Sequence, residues 1–241
     1  MKKFVIILIS LFLFGCVSSQ QPEKFNVEPT FCYDGECFSI EQKNNLLLFN
    51  TSMPEGEYKI EQVLTTISPE KEETENNIIS MKVHDDIVTF EIKNLLVQYN
   101  QKNQKIIHIV DKSGVLTPSQ TNSLKGLFKK SLGLYLSPYA SSGEIIPSKY
   151  NLYFGKANME IDAYCYVHGE TYYKDRKYPL VEIKGEGKLR VNGSSIPVIY
   201  NGYFIKEPTM NIYVKTVFDM TIKIDNTSQR MRIIEMQKMV Q

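Results

Sequence analysis

Seven residues spaced two apart, Ile212, Val214, Thr216, Phe218, Met220, Ile222 and Ile224, constrain this chain more than any other feature. Asn211, Tyr213, Lys215, Asp219, Thr221 and Lys223 fall on the opposite face. Side chains alternate across an extended backbone, so this spacing predicts one long strand with a dry face and a wet face. Such a strand belongs in an antiparallel sheet that turns one side to a core and the other to water.

The same signal recurs along the chain. Glu57 to Ile67, Ile78 to Val83, Ile87 to Ile92, Leu95 to Tyr99 and Ile106 to Val110 read as short successive strands of an antiparallel meander. Ser68 to Glu75, acidic and without an apolar residue, reads as a solvated hairpin loop; it lacks the glycine and ligand spacing of a calcium loop. Strand-like sequence resumes at Tyr150 and continues to Tyr173, and Lys184-Gly185-Glu186-Gly187 reads as punctuation in the next pair. Leu189 to Val191 meets Asn192-Gly193, a dipeptide suited to a type I′ hairpin, and Ile196 to Tyr200 returns beside it. Asn201-Gly202 reads as a second turn or a bulge, and Pro208 closes the segment.

One helix is predicted, over about 117–133. Thr117 can cap it, Pro118 suits its first turn, Gln120 can reach back to the cap and Gly133 can end it. Leu124, Leu127, Phe128 and Leu132 would share one face and cover the dry side of the sheet. The expected fold class is therefore α+β: a mostly antiparallel sheet or open half-barrel with one covering helix.

The N-terminus has a different character. Lys2 and Lys3 precede an apolar stretch from Phe4 to Phe14, too short to span a bilayer as a helix. It ends in Leu13-Phe14-Gly15-Cys16, which resembles the lipobox of prokaryotic lipoproteins. That resemblance implies cleavage before Cys16 and a diacylglycerol on its sulfur. A small residue such as Gly15 admits the peptidase, and only a thiol can form the thioether. Residues 1–15 then form a signal peptide, residues 16–24 a lipidated flexible tether, and residues 25–241 a single β-rich domain with a possible subdivision near 137–147. The implied location is outside the cytoplasm, facing the periplasm or the cell exterior, with the membrane as a partner through the acyl chains.

Export favours disulfides. Cys32 and Cys37 flank Asp34-Gly35, so a hairpin closed by their disulfide is the simplest pairing; the alternative joins one of them to Cys165. No metal site is expected, because His84, His108 and His168 stand at no ligand spacing from the cysteines. On an extended strand Cys165 and His168 point to opposite faces, which disfavours a catalytic pair unless a bulge intervenes. Glu160 and Asp162 share a face that most simply meets water. With no nucleophile elbow, zinc helix, phosphate loop or dinucleotide fingerprint, the sequence predicts neither an enzyme nor a cofactor. With 28 Lys and Arg against 27 Asp and Glu, no electrostatic ground exists for nucleic acid as a partner.

Two functions fit this reading. Long antiparallel strands around one helix resemble, in their order, the half-barrel lipid carriers of bacterial envelopes, which implies a lipid or other apolar ligand held between the helix and the sheet. Alternatively, Tyr172, Tyr173, Tyr178, Tyr200, Tyr203 and Tyr213 supply a surface for docking another envelope protein.

Overall fold

Residues 23–48, 50, 52–103, 105–114, 138–154, 157–191, 193–224 and 227–240 are described by a computed structural model. The predicted helix, with Leu124, Leu127, Phe128 and Leu132, lies outside the described residues, as do the signal peptide and Cys16. Within them every regular element is a strand, which corrects the α+β expectation to an all-β architecture. No helix among them is long and apolar enough to cross a membrane.

The N-terminal strands are β1 (Glu23–Lys24), β2 (Thr30–Tyr33), β3 (Glu36–Glu41) and β4 (Leu46–Leu47). A meander follows: β5 (Gly56–Ile67), β6 (Glu72–His84), β7 (Ile87–Ile92), β8 (Leu95–Asn100) and β9 (Lys105–Asp111). After the short β10 (Tyr139–Ala140) come the long strands β11 (Glu144–Phe154), β12 (Ala157–Tyr173), β13 (Arg176–Val191), β14 (Ser194–Glu207), β15 (Ile212–Ile224) and β16 (Thr227–Met239). Twelve of them run in the order β1-β11-β12-β13-β14-β15-β16-β5-β6-β7-β8-β9, with all pairs antiparallel. Nearly every pair is a sequence neighbour joined by a tight connection, as alternating segments separated by turn residues require. The exceptions are the short β1, which lies along β11, and β16, which returns to pair with β5 and joins the two halves edge to edge.

Punctuation differs from the sequence reading at three places. Half of the acidic loop is strand: Glu72 to Glu75 pair with Ile67 to Leu64, leaving only 68–71 as the connection. Gly185 and Gly187 lie within β13 and Gly202 within β14, because these glycines serve close backbone approach rather than chain reversal. A Cβ at Gly187 would collide with the Glu160 carbonyl oxygen, and one at Gly202 with that of Val217. The bulge near Asn201 occurs instead opposite Ile205 and Lys206, where Val214 is the extra residue of β15.

That bulge changes the long strand. Alternation predicts water on every second side chain of β15, yet both its faces are covered from Val214 through Asp219 except for the half-buried Lys215. On the inner face one large cluster gathers Ile60, Leu64, Ile79, Phe204, Phe218 and Ile233 with residues of β8, β12 and β13. On the outer face the β2–β3 hairpin lays Phe31 and Phe38 over Leu180, Tyr203, Ile205, Val214 and Val217. Burying such side chains contributes about 1.5–3 kcal/mol each.

Cys32 and Cys37 are direct cross-strand partners in that hairpin and form the expected disulfide. Asp34 and Gly35 both take positive φ, 50° and 85°, as the type I′ turn requires. Cys165 keeps its thiol, buried in the inner core, so the alternative pairing is not formed.

Candidate functional site

Two polar networks occupy opposite faces of the same strands. On the outer face, Asn201, Asp219 and Arg232 stand in one cross-strand row on β14, β15 and β16. Arg232 donates to both Asp219 oxygens at 2.9 and 2.8 Å, and Arg230 donates from Nε at 2.9 Å. From the hairpin above, the Tyr33 hydroxyl reaches Asp219 and Asn201 Oδ1, each at 2.7 Å, while Arg232 also pairs with Asp34. Burial alone would raise the Asp219 pKa, but hydrogen bonds from Arg232, Arg230 and Tyr33 outweigh it and hold the carboxyl at about 2. Burial, and then Asp219, push the Tyr33 phenol well above its ordinary range.

A second tie lies beside the first. Glu36 accepts from Tyr203 at 2.6 Å and pairs with the half-buried Lys215. Burial opposes ionisation of Glu36, yet these two donors keep its carboxyl below the usual range. The hairpin is thus held by apolar contact at its centre and by charged pairs at Asp34 and Glu36. Each of these charges is matched by a partner from the sheet, which suits a clamp rather than a site for a ligand.

The inner face differs. A stripe of polar side chains crosses five adjacent strands in an otherwise apolar core: Lys206 on β14, Tyr213 and Thr216 on β15, Glu235 and Gln237 on β16, Gln62 on β5 and Asn77 on β6. The register explains the alignment, since Lys206 pairs with Tyr213, Thr216 with Glu235, and Gln62 with both Gln237 and Asn77. Glu235 Oε1 accepts from Gln62 Nε2 at 2.5 Å and from Gln237 Nε2 at 2.6 Å. Gln62 Oε1 accepts from Asn77 Nδ2 at 3.1 Å, and Gln237 Oε1 accepts from the Tyr213 amide at 3.1 Å. Lys206 Nζ sits 5.1 Å from the centre of the Tyr213 ring. Burial drives the Lys206 pKa down from the ordinary lysine range to about 7.

Burying polar groups costs free energy even where they are partly paired. A row of them at positions that the alternation reserves for apolar residues therefore needs a cause. Glu235 is fully buried and Gln62 is 1% exposed, so solvation by bulk water does not supply it.

His168 is the extra residue of a bulge between Val167 and Gly169. The bulge does not bring it to Cys165, whose side chain lies in the inner core. Instead the His168 ring lies on the outer side, between Phe25 and Phe31, with Nε2 3.3 Å from Glu182. Glu160 is bonded to Arg190 on an exposed surface. Of the six tyrosines singled out by sequence, Tyr200, Tyr203 and Tyr213 are buried, Tyr173 and Tyr178 half-buried and only Tyr172 exposed.

One grouping of metal-ligand type occurs among the described residues, at Glu55, His84 and Asp85, all exposed. His84 turns Nδ1 to Glu55 at 3.7 Å and Nε2 to Asp85 at 3.3 Å. One ligand atom from each of the three lies within 4.8 Å of the others, but all three side chains are exposed, and exposed acidic groups of this kind are common without a metal.

Sequence reasoning passed over the inner stripe. Its signal is the polar residue that interrupts a dry register, as Gln62 does between Ile60 and Leu64, and as Glu235 does after Ile233. No protein-family model matches the chain, and no curated protein does.

Proposed function

We propose that this chain is an exported protein, held at a membrane by a lipid on Cys16, whose inner sheet face binds an apolar or amphiphilic small molecule. The observation that carries the binding reading is the polar stripe from Lys206 to Asn77 within the dry face. Ligand sites combine a large apolar surface with a few placed polar groups, and this face has both. A buried lysine driven to about 7 is the kind of costly group that functional sites retain. The anchor reading rests on Leu13-Phe14-Gly15-Cys16, and the Cys32–Cys37 disulfide suits the oxidising compartment to which that leader would deliver the chain. Docking through tyrosines receives less support, because half of the candidates fill cores.

The full chain, exported through its own leader and extracted from membranes in a mild detergent, tests this by native mass spectrometry. The expected spectrum shows the acylated chain with an additional non-covalent mass in the range of a lipid. A chain carrying its acyl groups and nothing else, at every activation energy, would count against ligand binding.

A further inference from the structure

The two ends of the inner face differ. Where β14 turns into β15, Asn50 and Asn211 exchange hydrogen bonds, and the nearby Met53 is 2% exposed in the core. Toward the β13–β14 and β15–β16 turns burial falls off instead. Tyr200, Phe218 and Ile233 are each 2% exposed, whereas Met220, Ile222 and Met231 beyond them, with Leu189 and Ile196, are half-buried. Leu189 pairs with Ile196, Ile222 with Val198, and Met220 with both Tyr200 and Met231, so these five form one apolar rim. Alternation needs apolar residues only where the face is covered.

The outer face of the same strand ends is basic. On β11 to β16, past the row of Ile199 and Thr221, the charges among the described residues are Lys188, Arg190 and Lys223 against Glu160. Arg190 is paired with Glu160, so the excess comes from the exposed Lys188 and Lys223. The acidic β5–β6 connection stands back from this end, because Ile67 before it pairs with Arg232, well inside the start of β16 at Thr227. The direction of β1 agrees. Glu23 lies opposite Ile145 and Lys24 opposite Glu144, so the Cys16 side of β1 is directed along β11 toward Phe154, at this same end. The residues from Cys16 to Glu23 span at most about 25 Å when extended, and β11 rises about 30 Å from Ile145 to Phe154. A tether of that length leaves the sheet no room to stand clear of a bilayer that holds Cys16.

We propose that the end of the sheet bearing the β13–β14 and β15–β16 turns rests on an anionic lipid bilayer, with the apolar rim against acyl chains and Lys188 and Lys223 among the headgroups. This orientation rests on the lipid anchor of the reading above, and it turns the inner face toward the amphiphiles that the face would bind. Burial of apolar side chains and attraction of basic ones add at such a surface.

The chain contains no tryptophan, so a single introduced one reports its surroundings without background. Ile196→Trp places it in the rim, Ser194→Trp on the exposed strand end beside it and Tyr172→Trp at the exposed far end of β12. Each full acylated chain is reconstituted into vesicles of phosphatidylcholine and phosphatidylglycerol, and its fluorescence is compared with and without bromine on the phosphatidylcholine acyl chains. Bromine should quench Ile196→Trp and Ser194→Trp at least about threefold more than Tyr172→Trp. Adding Lys188→Glu and Lys223→Glu to Ile196→Trp should reduce that quenching by about half, and quenching left unchanged would overturn the headgroup contact. Circular dichroism identifies a variant that fails to fold, and Ser194→Trp then decides for the rim. Quenching equal at both ends, or absent from all three in chains that float with the vesicles, overturns the orientation and leaves the anchor standing. Chains that do not float overturn the anchor as well.

Discussion

Replacing Asp219 by asparagine separates the charge of the outer clamp from its shape. The carboxylate is 4% exposed and accepts from Arg232 twice, from Arg230 and from Tyr33. Its pKa falls from an ordinary 3.8 to about 2 on folding, and each unit corresponds to about 1.4 kcal/mol. Ionised Asp219 therefore contributes about 2 kcal/mol to stability. Because the folded pKa is the lower one, that contribution is complete above about pH 5 and lost as pH falls through about 2. The asparagine side chain has no proton to lose in this range. At pH 7 the variant should lose about 2–3 kcal/mol, at the low end for a broken buried pair because Arg230 is largely exposed and can rehydrate. Urea unfolding followed by circular dichroism at about pH 7 and about pH 2.5 measures both values. All other carboxylates titrate in both proteins, so the gap between them isolates Asp219: it should shrink to under about 1 kcal/mol at the lower pH. An unchanged gap at the two pH values would refute the assignment of the clamp to charge.

Four other outcomes follow from the same account. Replacing Cys32 and Cys37 by serine opens a very short loop and should cost about 2 kcal/mol, read by the same urea titration; Cys165 should resist thiol reagents until the protein unfolds. Gly202→Ala should cost more than about 3 kcal/mol, since its Cβ would meet the Val217 carbonyl within β15, whereas Gly193→Ala, strained only by φ of +86° in an open turn, should cost about 1 kcal/mol. Lys206→Met should be the more stable protein at pH 7. The folded pKa of Lys206 is depressed, so its penalty is complete below about 7 and relieved as pH rises toward the unfolded value. The advantage of the variant, read by urea unfolding, should accordingly narrow by about 2 kcal/mol between about pH 7 and about pH 9.

Much of the sheet is legible in the sequence because register is local. The limits of Ile87–Ile92 follow from alternation alone, and Asp34-Gly35 announces a hairpin whose two cysteines must then meet. Which face is wet is not local. Asp219 and Lys215 occupy polar positions of β15 and look solvent-facing until the hairpin, some 180 residues earlier in the chain, folds over them. Gly185, Gly187 and Gly202 read as breaks because a glycine that admits a neighbouring carbonyl has the same one-letter signature as one that turns the chain. The inner stripe could have been found by collecting the polar residues in dry registers. Its connectivity could not, since the pairing of β16 with β5 joins segments about 170 residues apart.

The central claim is that a ligand lies against the inner face of β14, β15, β16, β5 and β6. A monoacylglycerol bearing a photoactivatable diazirine in its acyl chain, bound to the full acylated chain and irradiated, tests it most directly when the adducts are mapped by peptide mass spectrometry. The account predicts adducts on inner-face residues such as Leu64, Ile79, Met220 and Ile233. Adducts confined to exposed positions such as Ile78, Ile107 and Tyr172, or none at all, would contradict it.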